Sequence, residues 1–102
     1  MVRHIVTWNF KEYLTEAEKK DGASKVKFEL ESLIYLIDGI IELKFYADIL
    51  PTSNRDAVLD SLFKSPEALA AYQVHLKHLE AGKLVQEYFC DRICIDYIEE
   101  KQ

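Results

Sequence analysis

Three histidines, His4, His75 and His78, and two cysteines, Cys90 and Cys94, are the side chains best suited to acid–base chemistry or metal binding. Imidazole titrates near neutrality and can accept or release a proton at physiological pH. His75 and His78 stand three positions apart, so on a helix they are neighbours. That spacing could seat a metal with His4 as a third ligand. Spacing pins no carboxylate or cysteine to complete the set, and established metal patterns are stronger. The expectation is therefore no metal and no cofactor. The competing reading makes His78 a surface histidine capping nearby carbonyls. Cys90 and Cys94 fall on or beside a terminal strand, and a disulfide across so short a loop would stabilise little. Two free thiols in a reducing cytoplasm are expected.

The elements that must position these groups follow from periodicity. Residues 2–10, VRHIVTWNF, are rich in β-formers and unbroken by Gly or Pro. Period two places Val2, His4, Val6, Trp8 and Phe10 on one face, and Arg3, Ile5, Thr7 and Asn9 on the other. His4 thus shares a face with four hydrophobes, an unusual setting for an ionisable ring. It either faces a ligand or is a satisfied polar group holding a neighbouring element. Residues 15–37 predict a helix. Thr15 and Glu18 have capping-box spacing, and Ala23, Val26, Leu30, Leu33, Leu36 and Ile37 form an apolar stripe. Gly22 lowers its stability by ~1 kcal/mol against Ala, and Gly39 suits a left-handed stop.

Residues 40–48 predict a strand with Ile41, Leu43, Phe45 and Ala47 on one face. A loop follows at 50–56, then a strand at 57–63. Ser65, Pro66 and Glu67 start a helix with a cap, a first-turn proline and a dipole-matched acid. Its apolar side carries Leu69, Tyr72, Leu76 and Leu79. A break is expected at Gly82, then a short helical piece over 84–89. Residues 91–98 predict the last strand. There Ile93, Ile95 and Tyr97 oppose Arg92, Cys94, Asp96 and Ile98, and Arg3 can pair with Asp96 across strands.

The order β-α-β-β-α-β implies an α+β fold: a ferredoxin-like protomer with a four-stranded antiparallel sheet and both helices on one face. The first strand carries apolar side chains on both faces, and one helix layer covers only one. Leaving a Trp-sized side chain wet would forgo about 1.5–3 kcal/mol. A second copy, sheet against sheet, is the simplest cover. The 102 residues, with 49% hydrophobic and 12% aromatic content, suit a single domain over 1–102. With 13 basic and 18 acidic residues the net charge is −5, and no basic run stands out. Nucleic acid is not an expected partner. Neither is a membrane, since no apolar run reaches spanning length. The start, MVRHIV, does not read as a secretory leader. These features agree with a cytoplasmic setting.

Three segments together, MVRHIVTWNF, SPEALAAYQVHLKH and DRICIDY, resemble the stress-responsive A/B barrel domain family, over residues 2–98. The resemblance implies a dimeric α/β barrel, with a cavity between sheet and helices in each protomer. Many family members have no settled activity, and one plant member is a polyketide cyclase. Carried over by local match, its site implies Tyr72, His78 and His4 as catalytic candidates. His75 aligns with the other histidine of a His-Pro-x-His stretch, and Val6 and Trp8 line the pocket beside it. His78 would take a carbon-bound proton, and Tyr72 would donate to the carbonyl oxygen gaining charge. Leu76 stands where the family pattern has proline, which restores a backbone donor and lets the helix continue. Six positions of unbroken helix turn by about 600°, equivalent to about 240°. Tyr72 and His78 can meet only if the helix bends or breaks between them. Trp8 is a bulky neighbour that narrows the pocket. The two readings are a homodimer holding a small apolar or weakly acidic ligand, and a cofactor-free cyclase or isomerase.

Overall fold

The alternation at the start of the chain forms β1, Val2–Phe10, in a computed structural model that describes residues 1–100. Helix α1 spans Glu16–Ser32, followed by a 3₁₀ turn at Leu33–Tyr35. Strands β2, Ile40–Tyr46, and β3, Ala57–Phe63, come next. Helices α2, Pro66–Val74, and α3, Leu76–Tyr88, precede β4, Phe89–Ile98. The sheet order is β2-β3-β1-β4 with every pair antiparallel. This is the expected ferredoxin-like sheet, with the second helix divided in two.

Both helix starts follow their sequence signals. Thr15 Oγ1 accepts from the Glu18 amide and Glu18 Oε1 accepts from the Thr15 amide, closing the capping box. Ser65 Oγ accepts from the Ala68 amide ahead of Pro66. Gly39, at φ +91°, supplies the left-handed turn into β2. Lys27 Nζ and the Phe45 amide both donate to Glu31 Oε2, at 2.8 Å each, which ties α1 to β2.

The core lies between helices and sheet. Val2, Val6 and Trp8 of β1 meet Val26 and Leu30 of α1 and Val85 of α3. Four expectations are corrected. The 15–37 helix ends earlier, and Leu36 turns outward while Ile37 stays buried. A register shift between Ile40 and Glu42 exposes Ile41, so Leu43 and Phe45 share the inner face without it. Helix α3 runs through Gly82, and its buried residues are Ala81 and Val85, whereas Leu76 and Leu79 face outward. Arg3 lies on the sheet face opposite Asp96. It pairs instead with Glu99, Glu42 and Asp60, at 2.7, 3.0 and 3.1 Å.

A bulge decides which residues of β4 face the helices. Thr7 pairs with Ile93 but Asn9 pairs with Cys90, so Asp91 and Arg92 stand opposite Trp8 alone. Asp91 sits at φ +56°, a conformation that Asp tolerates better than most residues. The extra residue turns Phe89 inward against Trp8 and Phe10.

Gly22 illustrates tertiary override of propensity. Helix preference alone favours Gly22→Ala by ~1 kcal/mol. Here a Cβ would lie 2.2 Å from the Tyr88 ring, which packs over the glycine. Gly22→Ala is expected to destabilise the fold by about 1–3 kcal/mol through overpacking, read as a lower urea midpoint at an unchanged slope.

Candidate functional site

The division between α2 and α3 creates the site. Neither proline nor glycine causes it. His75 leaves the helix at ψ 136°, and its amide donates to Tyr72 O at 3.1 Å to end α2. Its Nδ1 then accepts from the Lys77 amide at 3.0 Å, so His75 is the N-cap of α3. The imidazole does what Ser or Asp does at other helix starts. Leu76 does not carry the helix onward, and its side chain is 67% exposed.

This break removes the angular obstacle between Tyr72 and His78. Their ring centroids lie 4.3 Å apart. Tyr72 is fully buried, also packs on Phe63, and its hydroxyl has no hydrogen-bond partner among the described residues. Burial pushes its pKa far up, so the phenol stays neutral and keeps its proton to donate. His78 Nδ1 lies 3.2 Å from Gln73 O. A carbonyl only accepts, so Nδ1 carries the proton and Nε2 holds the lone pair. Burial lowers the His78 pKa. The Gln73 contact opposes that shift, and the charges of His4, Arg92 and His75 reinforce it. His78 is therefore neutral at pH 7, the form a general base requires.

His4 enters from β1, buried, with Nδ1 2.5 Å from Asp96 Oδ1 on β4. Its ring stands edge-on to Tyr72 at 6.3 Å between centroids. Ser61 Oγ donates to the His4 carbonyl at 2.7 Å and fixes the strand beside it. A cavity of about 270 Å³ opens over these residues. His4, Val6 and Trp8 of β1, His78 and Gly82 of α3, and Arg92 of β4 line it. Gly82 leaves room, because a Cβ there would meet nothing within 4 Å. The charged side chains in the lining, Lys83 and Arg92, are both cations. Trp8 narrows the cavity without filling it. Tyr72 packs against His78 but is not part of the lining. A larger, more open groove of about 680 Å³ between α1 and β2 contains none of the histidines, and its Lys19 and Lys27 already pair with Glu16 and Glu31.

The structure thus brings His4, Tyr72 and His78 together, with Val6 and Trp8 on the wall. It places His75 at the helix junction, outside the lining, so the set His4, His75 and His78 is not assembled. Two neighbours, Arg92 and Asp96, carry no functional signal in the sequence on their own, and a third, Cys94, reads there only as a free thiol with no ligand partner. Pairing β4 with β1 would have found them, since Asp96 stands opposite His4 and Cys94 opposite Val6. Burial and the adjacent Asp96 carboxylate push the Cys94 thiol pKa up, which makes it a poor nucleophile at neutral pH.

Comparison with solved structures places this geometry in context. A dimeric protein of unknown function with a ferredoxin-like fold from Bacteroides fragilis is 27% identical at a TM-score of 0.86, covering 94% of this chain and 93% of its own. A dimeric ferredoxin-like protein of unknown function from Thermobifida fusca is 24% identical at a TM-score of 0.78, covering 94% and 88%. The hydroxynitrile lyase of Passiflora edulis is 19% identical at a TM-score of 0.79, covering 99% and 94%, a likeness of fold alone. No curated protein matches the sequence. The family model described as the stress responsive A/B barrel domain matches residues 2–99, so this chain belongs to that family.

Proposed function

We propose that the chain is a homodimer whose protomers each bind a compact, apolar or weakly acidic ligand in the cavity over His4 and His78. The observation that carries this reading is a ring-sized, mostly apolar cavity whose only charged lining residues are Lys83 and Arg92. Apolar walls supply affinity, and a few polar groups fix orientation. Two cations without a lining carboxylate favour an anionic substituent. Dimerisation is supported by the helix-free sheet face, where Ile93, Ile95 and Tyr97 stand exposed. Similar structures described as dimeric add to that support. Free thiols at Cys90 and Cys94 suit a reducing cytoplasm.

A second reading, catalysis of proton transfer next to a carbonyl, is favoured by the Tyr72–His78 contact. Neutral His78 would remove the carbon-bound proton through Nε2, and the unpartnered Tyr72 hydroxyl, which the cavity does not reach, would donate to the oxygen gaining charge once a substrate seats beside the His78 ring. Cyclisation and isomerisation of a carbonyl compound both begin with that step. The test is proton–deuterium exchange in β-dicarbonyl acids followed by NMR. The protein should accelerate exchange, and His78→Gln should abolish the acceleration. The pH dependence has a definite sign. With its pKa held below the ordinary 6.5, His78 stays a base as pH falls through that value, and the rate drops only at lower pH. Binding without acceleration leaves the cavity reading and removes the catalytic one. Failure of every such acid to shift cavity resonances would overturn both.

A further inference from the structure

Where His4 of the cavity wall meets β4, three donor atoms of different chemistry converge, and of the three residues only His4 lines the cavity. His4 Nδ1, Cys94 Sγ and Asp96 Oδ1 all lie within 4.8 Å of one another. Sγ is 3.7 Å from the imidazole nitrogen and 3.5 Å from the carboxylate oxygen, and nitrogen and oxygen are 2.5 Å apart. The arrangement is imposed by backbone register. Cys94 and Asp96 are alternate residues on one face of β4, and they stand opposite Val6 and His4 of β1. Sites on paired strands hold their geometry better than sites on loops.

We propose that His4, Cys94 and Asp96 form a binding site for a zinc-class divalent ion. A tetrahedral zinc with one thiolate, one imidazole and one carboxylate needs donor separations of about 3.3–3.6 Å. The sulfur–oxygen separation of 3.5 Å falls within that range, and the sulfur–nitrogen separation of 3.7 Å lies just beyond it. The nitrogen–oxygen pair must open by roughly 0.8 Å to reach that range, and Asp96, partly exposed, is free to move. A soft thiolate beside an imidazole selects zinc or copper(I) over magnesium or calcium. Three protein ligands leave a fourth position for water or a ligand oxygen, and His4 borders the cavity from which either would come. On binding, the Cys94 thiol proton leaves to solvent. The proton held between His4 Nδ1 and Asp96 Oδ1 must also give way to the ion, so uptake releases protons. Cys90 takes no part, because the bulge turns it to the opposite sheet face beside Asn9.

The test uses the full chain, stripped with a chelator and titrated with cobalt(II), then with zinc(II) against a chromogenic competitor. One ion per chain is expected, with a thiolate-to-cobalt charge-transfer band in the near ultraviolet that zinc displaces. Cys94→Ser should abolish the band and weaken zinc by more than about tenfold, and Asp96→Asn should weaken zinc by at least about tenfold. Cys90→Ser should leave both readouts unchanged. Circular dichroism establishes that each variant is folded. The proposal is overturned if folded protein takes up no stoichiometric cobalt or zinc. It is equally overturned if the band survives Cys94→Ser or depends on Cys90, or if Asp96→Asn binds zinc like the parent.

Discussion

Ile95→Arg should convert the protein into a folded monomer. Light scattering after size exclusion would then fall from twice the 11.9 kDa chain mass to that mass. Ile95 lies near the middle of the helix-free sheet face, opposite Ile5 and between Ile93 and Tyr97. Its side chain is 58% exposed within the protomer, and those of Ile93 and Tyr97 are 50% and 46% exposed. Removing one such side chain from a buried interface forfeits about 1.5–3 kcal/mol. In a two-fold interface the loss occurs twice. Dissociation should therefore strengthen by two to four orders of magnitude, roughly 10²–10⁴ in the dimer constant, before counting the burial of two new charges. The protomer itself touches little at this position, so secondary structure should be unchanged. Phe28→Arg is the matched control, a 72% exposed residue on α1. It should leave the dimer intact. An Ile95→Arg protein that still runs at twice the chain mass would show that copies meet elsewhere.

Tyr72→Phe should move stability and activity in opposite directions. The hydroxyl is buried and has no partner among the described residues, an arrangement that costs about 1–3 kcal/mol of desolvation. Phenylalanine keeps the ring and its contacts with Phe63 and His78. Unfolding free energy should rise by about 1 kcal/mol, measured by urea denaturation without bound ligand. Proton-exchange activity should fall by about 10²–10³, the cost of removing one donor from a developing oxyanion. A tyrosine serving only as packing would show the gain in stability with no loss of activity. A tyrosine already bonded to an ordered water would show a loss of stability. The combined pattern therefore isolates the hydroxyl's role in a way that activity alone cannot.

Short-range features of the fold were readable from the chain. The inward set Val2, His4, Val6 and Trp8 follows from period two. Both helix starts follow from caps, and the turn at Gly39 from its freedom at positive φ. The corrected expectations turn on register and on helix ends. Ile41 leaves the inner face at a bulge, where one extra residue inverts the alternation, and Phe89, expected in the helical piece over 84–89, instead opens β4 beyond a second bulge; no composition signal marks either bulge. The helix break was expected at Gly82, the weakest helix former nearby, but it occurs at His75. There the imidazole caps a new helix and the chain must turn to lay Tyr72 against the core.

By itself, then, the sequence determined the element order, the face of β1 that turns to the helices and the surplus of apolar surface on the other face. Those depend on periods of a few residues and on caps. Only tertiary structure decided that Tyr72 touches His78, that Asp96 and Cys94 stand beside His4, and that Arg3 turns away from all of them. Such meetings depend on strand register and helix breaks, which are set by packing between residues distant in the chain.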